Sequence, residues 1–189
     1  MTLATAASMA APCARAWAED LPFEAGAFDA AMAVLTIHHW ADWRSGLREL
    51  RRVALRRIVL LTFDVEASQF WLTRDYLPEL IALDRRTMPA LNDLASELGQ
   101  FQASPLLIPH DCVDGFLGAY WRRPQLYLDP MARKSMSSFA MIDADAGLKR
   151  LASDLDTGAW RARYADLLER EELDLGYRLL RWEFESSLP

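Results

Sequence analysis

The chain has 189 residues, 52% hydrophobic and 25% charged, the balance of a globular domain rather than of a disordered segment or a bilayer span. Its net charge of −6, with 21 basic residues scattered along the chain, lacks the basic stripe that nucleic acid requires. Cys13 and Cys112 are far apart and form neither a disulfide framework nor a metal-ligand spacing, so the expectation is one cytoplasmic domain over residues 1–189.

The alanine-rich start, Met1 to Trp17, superficially resembles a secretory signal with Ala16, Trp17 and Ala18 at its cleavage site. That reading is rejected, because no basic segment opens it and polar residues and proline interrupt it. Phe28 to Ile37 is an almost continuous apolar run, expected to be a strand covered on both faces. Asp42 can then cap a helix to about Ala54, with Trp43, Leu47, Leu50 and Ala54 as its apolar stripe and Arg44, Arg48, Glu49 and Arg52 on solvated flanks. Arg57 to Phe63 reads as a central parallel strand, joined to the first by a right-handed crossover.

From Ser68 the pattern is mainly helical, punctuated by Pro89 and Gly99. A short strand is expected at Phe101 to Pro109, helical segments at Val113 to Trp121 and Pro130 to Ile142, and helices at Asp145 to Leu155 and Thr157 to Arg170. Leu173 to Glu183 is the last strand, and residues 65–145 form a helical insert on the substrate side.

Four stretches carry a family resemblance by their order and spacing: Ala18-Glu19-Asp20-Leu21-Pro22-Phe23, Gly26-Ala27-Phe28-Asp29-Ala30-Ala31, Ile37-His38-His39-Trp40, and Leu47-Arg48-Glu49-Leu50-Arg51-Arg52-Val53. Together they resemble the type 11 branch of the class I S-adenosylmethionine-dependent methyltransferases, most closely between Met9 and Asp64. The resemblance implies an α/β fold: a truncated Rossmann-like sheet, mostly parallel, with equivalents of the family's fourth to seventh strands and helical insertions. The family's glycine-rich turn and ribose-binding acid have no counterpart, and two strand and helix units, on the order of 50 residues, are expected to be missing ahead of Met1. S-adenosylmethionine is the implied cofactor, with contacts from Trp17, Ala18, Glu19, Thr36 and His38. Trp17 stands near the position that in relatives often contacts the adenine amino group, where an indole would have to stack instead.

Ligands of open parallel sheets sit beyond the strand carboxyl ends, which locates Thr36, His38, His39, Trp40 and Asp64 beside the pocket. His38 or His39 could take a substrate proton, or one of them could simply cap the strand end. A metal held by His38, His39 and His110 is disfavoured, because adjacent histidines at a strand end seldom point to one ion. Trp40, Asp64, Tyr120 and Trp121 are the candidate substrate contacts. Phe116, Tyr120, Trp121, Tyr127 and Met131 have the composition of an apolar pocket and equally that of a core. Arg122 and Arg123 could receive an anion or end a solvated helix.

Two functions follow. One is methyl transfer from S-adenosylmethionine to a small-molecule acceptor, with no nucleic acid or membrane partner. The other is a non-catalytic methyltransferase remnant whose first strand, left with a bare edge and bare apolar faces, pairs with a second copy as a homodimer.

Overall fold

The computed structural model describes residues 12–184. The chain order is β1 (Phe28–Val34), α1 (Trp43–Val53), β2 (Ala54–Phe63), α2 (Pro78–Thr87), α3 (Leu91–Leu98), β3 (Gln102–Pro109), α4 (Pro130–Arg133), α5 (Asp145–Asp156), α6 (Ala159–Arg163) and β4 (Glu172–Glu183). The four strands form one sheet in the order β1-β2-β4-β3. β1 and β2 pair in parallel, while β4 runs antiparallel to both β2 and β3. Three of the four strands therefore share one direction, and β4 alone is reversed between β2 and β3. The α/β architecture expected from the sequence is present, but among the described residues the sheet is mixed rather than mostly parallel, since the reversed β4 makes two of the three strand pairings antiparallel.

Helix α1 forms where the sequence places it. The Asp42 side chain accepts from the Arg44 amide at 3.0 Å, filling one of the unpaired donors of the first turn. Leu47 and Val53 are buried and the arginines at 44 and 48 are exposed. Gly46 is the position at which Trp40 meets the helix: a Cβ there would lie 2.4 Å from the indole, so any other residue would push Trp40 away.

Two apolar clusters flank the sheet. Ala33, Ile58, Leu60, Leu180 and Trp182 pack with Leu47 of α1 and Leu94 of α3 on one face. Side chains of this size contribute roughly 1.5–3 kcal/mol each on full burial. Trp71, Trp121, Tyr127, Leu151, Trp160, Leu175 and Tyr177 belong to the second cluster, which joins the helical segments to the far end of β4.

Several expectations need correcting. β1 stops at Val34, because Leu35 adopts φ 45° and turns the chain into a 3-10 turn at Ile37–His39. β1 is also covered on one face only, since Met32 is 69% and Val34 49% exposed. Its apolar run reflects one packed face and one bare one. Residues 113–121 form turns rather than a helix, and the expected helix at Thr157 to Arg170 is broken into α6 and a 3-10 turn at Ala165–Glu169. Gly158, at φ 78°, supplies the left-handed residue that separates α5 from α6.

Candidate active site at the carboxyl end of the sheet

The turn after β1 is built on a strained residue. Leu35 keeps its amide on the Leu61 carbonyl at 2.9 Å while its φ lies in the left-handed region, which costs a non-glycine residue about 1–2 kcal/mol. The turn it begins brings the rings of His38 and His39 to a centroid separation of 3.9 Å. Thr36 precedes this turn, and its carbonyl accepts from the His39 amide at 2.9 Å.

The His38 imidazole is half-buried, and burial, then the neighbouring His39, hold its pKa below the usual value. Its Nδ1 is buried with no hydrogen-bond partner among the described residues. The charged ring would bury a cationic Nδ1–H without an acceptor, so the ring favours its neutral form, and in the tautomer protonated at Nδ1 the lone pair of Nε2 is open to a ligand.

Two cavities meet at His39. An aromatic cavity of about 210 Å³ is lined by Leu35, His38, His39, Phe63, Asp84, Met88, Phe116, Leu117, Met136 and Tyr177, with serine hydroxyls at 135, 137 and 138. An outer cavity of about 510 Å³ is lined by Ala14, Ala16, Trp17, Ala18, Glu19, Leu21, Phe23, His39, Trp40 and Ala41. His39 lines both. Trp17, Ala18 and Glu19, nominated for the cofactor, and Trp40, nominated for the substrate, thus share one cavity with a candidate catalytic histidine.

The outer cavity owes its shape to a clamp on α1. Trp17 and Asp20 bridge across a tight turn with Ala18 and Glu19 at its tip. Glu19 Oε1 accepts from the Asp42 amide at 3.0 Å, which is the first cause of its lowered pKa. Glu49 accepts from the Leu21 amide at 2.8 Å and is joined to Arg52, whose guanidinium donates to the carbonyls of Leu21 and Phe23. Arg52, and then the Leu21 amide, hold the Glu49 carboxyl down to about 2. Glu49 and Arg52 are therefore not merely solvated flanks. Their three-residue spacing on a helix was the signal in the sequence, but only the fold shows which loop they hold.

The remaining nominees lie elsewhere. Asp64 lines a neighbouring cavity of about 380 Å³ with Glu66, Arg85 and Pro89, which shares only Phe63 and Met88 with the aromatic one. Trp121 is fully buried in the second core cluster, its indole donating to the Ile108 carbonyl at 3.0 Å. Tyr120 packs against the Tyr127 ring, and neither it nor Trp121 lines these cavities. Of the aromatic group read as pocket or core, Phe116 alone reaches the aromatic cavity, while Met131 is exposed. Arg122 and Arg123 donate to backbone carbonyls of Arg170, Cys112 and Ala119. His110 contacts Glu171 at 3.1 Å, and the described residues hold no group of three or more metal-ligating side chains.

A methyltransferase domain family matches residues 2–57. The crystal structure of a methyltransferase assigned to an antibiotic biosynthesis pathway in Anabaena variabilis superposes with a TM-score of 0.80 at 36% identity, covering 88% of this chain and 70% of that one. The chain belongs to the class I S-adenosylmethionine-dependent methyltransferases. For this methyltransferase, YcgJ of Bacillus subtilis gives a TM-score of 0.44 at 19% identity over 88% of this chain and 68% of its own. MccD gives 0.43 at 13% over 90% and 66%, and both likenesses are too slight to bear on the site. A search of curated proteins finds no match. No helix among the described residues is long and apolar enough to cross a membrane.

Proposed function

We propose that this chain transfers a methyl group from S-adenosylmethionine to a small-molecule acceptor, with the cofactor's adenine end in the outer cavity and the acceptor in the aromatic one. The observation that carries the proposal is that His39 lines both cavities, so ligands in the two would meet beside the histidine pair. The residues present suit an adenine: Ala14, Ala16 and Ala18 leave room for a flat ring beside Trp17, Phe23 and Trp40, and the Glu19 carboxylate can accept from an amino group. When bound, S-adenosylmethionine supplies a methyl group on a sulfonium whose thioether is a good leaving group.

The chain's own residues then position and deprotonate. Thr36 and Leu35 fix the turn that carries the histidines, and the aromatic walls exclude water from the acceptor. His38, kept neutral by burial, takes the acceptor's proton at Nε2. Asp64, in the flanking cavity, belongs to the rim through which an acceptor enters. The relative's assignment to antibiotic biosynthesis favours a small secondary metabolite as acceptor. Calorimetric titration of the chain with S-adenosylmethionine tests the proposal: saturable binding supports it, and no heat at millimolar ligand defeats it.

A second reading rests on β1. It pairs with β2 on one side, its other edge has no strand partner among the described residues, and Phe28, Met32 and Val34 are exposed beside it. Two copies joined at this edge would satisfy the free backbone groups and cover the apolar side chains. Light scattering on the eluting chain decides it, a dimer supporting the reading and a monomer ending it.

A further inference from the structure

The aromatic cavity has a composition that selects among acceptors. Phe63, Phe116 and Tyr177 supply three ring walls, with Phe63 and Tyr177 edge to face at 5.3 Å and Phe116 and Tyr177 at the same separation. Met88, Met136, Leu35 and Leu117 complete an apolar lining that, among the described residues, contains no lysine or arginine. One carboxylate, Asp84 of α2, interrupts it. The Asp84 side chain accepts no hydrogen bond among the described residues, and the adjacent Arg85 is drawn off to Glu66 at 3.0 Å. A half-buried carboxylate facing an apolar cavity with no cation is a recurrent cost to the fold unless a ligand brings the missing charge. Burial alone raises its carboxyl to about 6, which measures the same deficit.

We propose that the acceptor is a small amine on an apolar, ring-sized body, recognised as its ammonium form by Asp84 and by the faces of Phe63, Phe116 and Tyr177. This rests on the proposed function in taking the aromatic cavity as the acceptor site. The carboxylate provides a charge-assisted hydrogen bond, and the rings add cation–π attraction in a partly desolvated space. At about 210 Å³ the cavity holds one ring and a short side chain, somewhat more than the ~150 Å³ that admits benzene elsewhere. His38 lines the same cavity. Loss of one ammonium proton to the Nε2 lone pair of its Nδ1-protonated tautomer would leave a neutral amine with a free lone pair, the form that a methyl acceptor needs.

Binding of three probes of equal size separates the outcomes: 2-phenylethylamine, 2-phenylethanol and phenylacetate, titrated calorimetrically into the full chain at pH 7.5. The amine is expected to bind at least about tenfold more tightly than the alcohol, and the carboxylate more weakly than either. Asp84→Asn should abolish the preference for the amine, while Phe116→Leu should weaken the amine and the alcohol and keep their order. Equal affinity for amine and alcohol, a preference that survives in Asp84→Asn, or no binding of any probe would overturn the proposal. Because the readout needs no S-adenosylmethionine, amine selectivity can hold where cofactor binding fails, and the reverse, so the two failures are distinguishable.

Discussion

Glu49 and Arg52 lie one turn apart on α1, joined at 2.7 Å, and both also grip the Leu21–Phe23 segment behind the outer cavity. A helix surface pair of this kind alone contributes a few tenths of a kcal/mol, but here each partner additionally fixes backbone groups of a loop. The substitution Glu49→Gln should therefore reduce S-adenosylmethionine affinity by about tenfold while lowering the melting temperature by only about 2–4 °C. Because the folded carboxyl is depressed below its unfolded value of 4.5, the contribution of Glu49 is present above pH 4.5 and is lost as pH falls towards 2. Thermal melts at pH 3 and pH 6 should show the variant and wild type converging at the lower pH.

Asp84 has the opposite sign. Its carboxyl is raised from 3.8 to about 6 by burial, so the folded state holds its proton more tightly and stability falls as pH rises from about 4 to 6. Asp84→Asn should stabilise the ligand-free protein at pH 8, on the order of 1 kcal/mol once its partial exposure is allowed for, and leave it unchanged at pH 4. Denaturant unfolding at the two pH values checks this.

The His38 ring should titrate below the ordinary histidine range, for burial disfavours its charged form and His39 adds like-charge repulsion. In His39→Ala the titration should move part of the way back, and the remaining displacement measures burial alone. Proton resonances of the imidazole followed by NMR from pH 4 to 8 give both values.

Leu35, at φ 45°, should reverse the usual order of residue preference at a strand end. Leu35→Gly relieves the left-handed strain while losing a partly buried side chain, whereas Leu35→Val keeps the strain and adds branching at Cβ. Valine should come out about 1–2 kcal/mol less stable than glycine in chemical unfolding, although valine is the better strand residue.

Much of the first third of the chain was legible because its signals are local. The Asp42 cap, the α1 stripe and the apolar runs of β1 and β2 act within one element, and the histidines follow directly from where β1 ends. An apolar run alone does not reveal whether both faces of a strand are covered, which is why β1 read as a buried strand when Met32 and Val34 are in fact exposed. The aromatic cavity was the least legible part. Phe63, Asp84, Phe116 and Tyr177 come from four separated segments, and a lone aspartate within a helix whose neighbours are charged gives no sign that it faces inward. Trp121 and Tyr120, by contrast, looked like pocket aromatics because the composition of a pocket and of a core is the same.

Intermolecular NOEs test the outer cavity as the seat of the adenine most directly. With S-adenosylmethionine bound, the adenine H2 and H8 protons should show cross-peaks to the Trp17 indole and the Ala18 methyl group, and Trp17→Ala should weaken binding about tenfold. Cross-peaks from adenine to Phe116 or Tyr177 instead, with Trp17→Ala binding as tightly as wild type, would contradict it.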